Sequence, residues 1–117
     1  VVDDDPVVAE SMVVFLELEG HQARSADSGD AALRLLPEFR PQVVLLDIGL
    51  PGQNGYEVAR RIRRMPGGAD LELVAVSGYG DQEAVERGRQ AGFDRHLVKP
   101  VDPGILDALL AEFESRA

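Results

Sequence analysis

The stretch "PQVVLLD", residues 41–47, constrains the fold more than any other. Its four consecutive apolar residues, with no polar alternation, suit a strand covered on both faces, and such strands lie inside parallel sheets. The run ends on a carboxylate and breaks at once in "IGLPG", where Gly49 and Pro51 turn the chain. A buried strand that delivers an acid to its own tip needs a chemical reason.

The rest of the chain repeats the order strand, then helix. Val1-Val2 is a strand fragment that stops at "DDDP", with Asp5 as N-cap and Pro6 in the first turn of a helix. Val8, Met12, Phe15 and Leu16 recur there at helical spacing, and Gly20 ends it. "HQARSA" is the second strand candidate, and Ser28 caps a helix with Ala32, Leu33 and Leu36 inward. After residues 41–47 comes a helix with Val58, Ile62 and Met65 on one side and Arg60, Arg61, Arg63 and Arg64 around the rest. "LELVAVSG" is the fourth strand. The helix from Asp81 has only the thin stripe Ala84, Val85 and Ala91, which predicts weak packing. "FDRHLVKP" is the fifth strand, and the last helix offers Ile105, Leu109, Leu110 and Phe113. Five alternations with short connections imply an α/β fold, a parallel sheet with helices on both faces. In such folds ligands sit outside the carboxyl ends of the strands.

Those ends carry a particular set of groups. Asp3 and Asp4 follow the first strand, Asp47 ends the third, Ser77 the fourth and Lys99 the fifth. Lys99 is the only lysine beside 11 arginines, so its use here is selective. Asp3, Asp4 and Asp47 together carry −3. A divalent cation and one lysine neutralise such a cluster, which would otherwise repel itself. Carboxylate oxygens suit hard Mg²⁺, or Mn²⁺, which leave positions open for phosphate oxygens. Ser77 can donate to a phosphoryl oxygen and Lys99 can pair with one. An aspartate can also be the nucleophile towards phosphorus. Each residue has a plainer reading by itself: acids at a helix N-terminus, a turn serine, a solvated lysine. All of them at strand ends is a different matter.

Taken together, "VVDDDP", "VLLDIGLPGQNGYE", "VAVSGYG" and "HLVKP" resemble the receiver domain of two-component response regulators, over essentially the whole chain. The spacing fits: 44 positions from Asp3 to Asp47, 30 more to Ser77 and 22 more to Lys99. The resemblance implies a flavodoxin-like (βα)5 fold, a doubly wound five-stranded parallel sheet in the order 2-1-3-4-5. It implies that Asp47 is the phosphoacceptor, that Asp4 binds the metal directly and Asp3 largely through water, and that the Gly49 carbonyl is a further ligand. Ser77 takes the switch position, Lys99 pairs with the phosphoryl group, Pro100 follows a cis peptide bond, and Gly78 keeps the pocket open. Gly49 and Tyr79 are expected to influence how long the phosphoryl group survives. Two departures stand out. Asn54 replaces a frequent Asp, and His96 replaces a frequent Tyr or Phe that swings inward on activation, so a weaker switch is expected there.

The implied function is phosphorelay signalling, with phosphoryl transfer from a histidine kinase or a histidine phosphotransfer domain, and not a stand-alone enzyme. The wording of "DIGLPG", "SGYG" and "HLVKPVD" most resembles receivers of hybrid sensor histidine kinases, and a free-standing receiver or one from a transcription regulator would look similar. The fourth-to-fifth helix face is the expected output surface. A net charge of −9 argues against direct nucleic acid binding. No apolar run approaches the roughly 18 residues of a membrane span, so no membrane contact is expected. The setting is read as cytoplasmic, including the soluble part of a membrane-bound kinase, and the state as monomer or weak dimer. Residues 1–117 read as one domain, and the short first strand suggests a longer chain. An aspartyl phosphohydrolase would need a second acid where Gly49 stands. A flavodoxin-like phosphate binder would not place "DDDP" at its phosphate loop.

Overall fold

The computed structural model describes every residue except 51, 53, 79, 81 and 117, so Tyr79 lies outside the described residues. The elements in order are α1 (Pro6–Leu18), α2 (Gly29–Phe39), β1 (Val43–Asp47), α3 (Gly55–Arg64), β2 (Glu72–Ser77), α4 (Gln82–Ala91), β3 (Arg95–Val98) and α5 (Pro103–Arg116). β1, β2 and β3 pair in parallel in that order. They are the third, fourth and fifth of the expected strands.

The first two expected strands are reduced to single-residue bridges. Val2 pairs in parallel with Ala26 on one side and Leu46 on the other. Across the sheet the order is therefore Ala26, Val2, β1, β2, β3, which is the expected 2-1-3-4-5. The Val2 N–H donates to the Leu45 carbonyl at 2.7 Å, and the Asp47 N–H donates to the Val2 carbonyl at 3.0 Å.

Alternation along the strands divides the core between two faces. Val44, Leu46, Leu73 and Ala75 pack with Ala32, Val58, Ala59, Ile62 and Phe93. Leu45, Val74 and Val76 pack on the opposite face with Leu16, Leu106, Leu109 and Leu110. All six residues of β2 are buried, as a central strand requires. Two stripes differ from expectation by one residue. Ala9, not Val8, is buried in α1, and Leu106, not Ile105, is buried in α5. In α4 only Gly88 and Ala91 are buried and Val85 is exposed, so the packing is thin, as expected.

The turn between β1 and α3 is fixed from both ends. The Ile48 N–H donates to the Val76 carbonyl at 3.0 Å. The Asn54 side chain caps α3 by accepting from the Tyr56 N–H at 2.9 Å. Gly55 opens α3 against Ile48, and a methyl group there would strike the Ile48 backbone. Alanine is the better helix former by about 1 kcal/mol, but overpacking against rigid backbone costs about 1–3 kcal/mol. Gly55→Ala should therefore lower the urea midpoint. An unchanged or higher midpoint would refute this.

Candidate functional site

The acids reach the sheet edge on backbone that leaves them little freedom. Asp3 follows Val2, and its N–H donates to the Ala26 carbonyl at 3.0 Å. Its Oδ1 accepts from the Asp5 N–H at 2.9 Å. Asp5 in turn caps α1, accepting from the Val7 N–H at 3.0 Å. Asp47 is the last residue of β1, and its Oδ1 accepts from the Gly49 N–H at 2.8 Å. A Cβ at position 49 would lie 3.3 Å from that same oxygen, so glycine allows the chain to turn tightly beside the carboxylate. Around Gly78 a Cβ would meet nothing within 4 Å, and the space there is open.

Lys99 joins the two buried acids. Its Nζ donates to Asp47 Oδ2 at 2.7 Å and to Asp3 Oδ2 at 3.2 Å. Its own N–H donates to the Ser77 carbonyl at 2.7 Å, which carries the β2–β3 pairing to the sheet edge. The bond that follows, Lys99–Pro100, is cis. Burial works against the ammonium, yet the hydrogen bonds it donates to Asp47 and Asp3, with their charges, outweigh this and hold Lys99 above the ordinary lysine range. A raised cation stabilises the fold below the unfolded value, and that contribution is lost only as pH rises past the folded one. The site thus keeps its ammonium at neutral pH.

Asp3, Asp4 and Asp47 each present a carboxylate oxygen, and these oxygens lie within 4.8 Å of one another. Asp3 and Asp47 are buried and Asp4 is exposed. One ammonium leaves this oxygen-only cluster with a net negative charge, and that donor set fits a hard divalent cation. Ser77 is buried at the end of β2, with its Oγ 2.8 Å from His96 Nε2. All the strand-end residues read from the sequence thus occupy the C-terminal edge of one sheet. The Ser77–His96 contact was not legible there, because it depends on strand register. The small Ala75 opposite His96 is the only signal for it.

The comparisons agree with this geometry. The model of the response regulator receiver domain matches residues 1–111. The transcriptional regulatory protein AfsQ1 of Streptomyces coelicolor is 37% identical over 107 residues, covering 92% of this chain and 46% of that protein. The DNA-binding response regulator MtrA of Mycolicibacterium smegmatis is 38% identical over 103 residues, covering 88% of this chain and 44% of that protein. A CheY-like receiver domain protein from Methanospirillum hungatei superposes with a TM-score of 0.87 at 28% identity, over 98% of this chain and 90% of that one. The chain spans about half the length of the two curated relatives.

Those names correct the expected partners. The sequence pointed most to a hybrid kinase, to a downstream protein or domain on the fourth-to-fifth helix face and to no direct nucleic acid binding, whereas the relatives are transcriptional and DNA-binding regulators. The net charge describes the surface of these 117 residues only and leaves nucleic acid binding to another domain or chain. Match, sheet order and acidic edge converge, and the chain belongs to the response regulator receiver domain family, the signalling modules of two-component systems.

Proposed function

We propose that this domain takes a phosphoryl group from a phosphohistidine onto Asp47 and thereby switches an effector. The observation that carries this is Lys99 bridging Asp47 and Asp3 beside Asp4, an arrangement that leaves negative charge for a cation to balance. A carboxylate oxygen of Asp47 attacks phosphorus and the O–P bond forms. The N–P bond breaks, and its electron pair leaves with the imidazole, which is then protonated. Asp4, Asp47 and the Gly49 carbonyl would hold Mg²⁺, with Asp3 acting through water. When bound, the cation supplies charge neutralisation for the phosphoryl oxygens. Lys99 pairs with a phosphoryl oxygen and Ser77 donates to another. Phosphorylation replaces one negative charge at Asp47 with roughly two and shifts the population between two arrangements.

Residues 1–117 act as one unit of a longer, cytoplasmic protein. The names of the relatives favour a DNA-binding effector domain as the partner. Among the described residues no helix is long and apolar enough to cross a membrane. Mass spectrometry after incubation with acetyl phosphate and Mg²⁺ tests the reading. Wild type should gain one phosphoryl group and Asp47→Asn none. A wild type that stays unmodified, or an Asp47→Asn that is modified equally, would sink it.

A further inference from the structure

Ser77 lies on the middle strand β2, between β1, which carries Asp47, and β3, which carries His96. Its hydroxyl oxygen is 2.8 Å from His96 Nε2. The hydroxyl is therefore engaged by a side chain from β3, across β2 from the strand that bears Asp47. The register explains how the ring reaches it. His96 pairs with Ala75, and Ala75 and Ser77, two residues apart, share a face of β2. Ala75 presents only a methyl group, so the imidazole lies across it and meets Ser77 on the diagonal. The Ser77 backbone is tied by its carbonyl to the Lys99 N–H at 2.7 Å. The Ser77 side chain can thus turn without moving the strand.

The geometry points to His96 as a positioning residue that restrains Ser77: its ring and a phosphoryl group on Asp47 compete for one hydroxyl. This rests on the phosphoacceptor reading and deepens it, because it assigns a regulatory role to a group that touches neither phosphoryl nor cation. The side chain occupies one rotamer at a time, so an Oγ held 2.8 Å from His96 Nε2 must turn away from the ring to reach a phosphoryl oxygen, whichever of the two carries the shared proton. The Ser77–His96 bond stabilises the unphosphorylated arrangement and lowers the apparent affinity for the phosphoryl state by the fraction of chains it holds back.

The test is titration with beryllofluoride and Mg²⁺, a stable mimic of the phosphoryl group, followed by NMR. His96→Phe removes the hydrogen bond and should bind roughly 2- to 10-fold tighter, the range of one net hydrogen bond. His96→Gln keeps a hydrogen-bonding group and should return towards wild type. In a Ser77→Ala background His96→Phe should change nothing, because the coupling runs through the hydroxyl. In wild type, which needs no substitution, the His96 ring ¹⁵N resonances should shift on saturation. The inference is overturned if wild type binds the mimic but His96→Phe binds equally or more weakly. It is also overturned if the gain persists without the Ser77 hydroxyl, or if the ring resonances stay put. A wild type that does not bind beryllofluoride overturns the phosphoacceptor reading, and the restraint with it.

Discussion

Replacing Lys99 by Met should slow phosphorylation of Asp47 by acetyl phosphate about 10²- to 10³-fold, the effect of removing one preorganised charge stabiliser. Lys99 contacts both buried acids, at 2.7 and 3.2 Å, and its backbone is held by Ser77. The ammonium is therefore in place before a donor arrives, and no reorganisation is needed as charge builds on phosphorus. Lys99→Arg should restore little, because a planar fork cannot replace a compact charge between two carboxylates. Rates followed by mass spectrometry at saturating Mg²⁺ decide the matter. A Met variant within about tenfold of wild type, ~1.4 kcal/mol, would show that Lys99 is a structural counter-ion only.

Arg63→Ala should destabilise the fold by about 2–4 kcal/mol without removing any group from the acidic site around Asp47. The guanidinium reaches two separate stretches of chain, 68–71 and 92–94. It donates to the Gly92 carbonyl at 2.9 and 2.6 Å, to Gly68 at 3.0 Å and to Leu71 at 2.8 Å. It also meets Asp94 Oδ2 at 2.7 Å, and that oxygen accepts from the Leu73 N–H at 2.8 Å. One side chain thus ties the end of α3 to the approaches of β2 and β3. Removing it takes the donor from three carbonyls at once and leaves Asp94 with the Leu73 N–H but no cation. Arg63→Lys should recover only part of the loss, since a lysine cannot reproduce the fork. Urea unfolding measures both variants, and a loss below about 1 kcal/mol for Arg63→Ala would refute the role.

The fold and the site were legible to different depths. The acids, Ser77 and Lys99 could be read because strand ends are marked by abrupt changes of chemistry, and a parallel sheet brings those ends together. Asp5 and Ser28 could be read because a cap follows from local geometry. Arg63 could not. Four arginines stand at 60, 61, 63 and 64, and nothing local tells which of them folds back over the loops. The one-residue slips at Val8 and Ile105 have a similar cause. α1 and α5 carry apolar residues on several sides, so tertiary packing rather than periodicity selects the buried stripe. The effector lay beyond reach for a plainer reason: a domain's composition describes its own surface and not its neighbours.

Asp47 leaves only 6% of its surface open, and Asp3 and Ser77 still less. As the proposed phosphoacceptor, a carboxylate so enclosed would screen its donors by shape. Phosphorus must arrive at the tip of something slender, in line with one oxygen, past a rim formed by the exposed Asp4. A small free phosphodonor meets that condition, and so does an imidazole projecting from a helix. A phosphorylated hydroxyl lying flat against its own backbone does not.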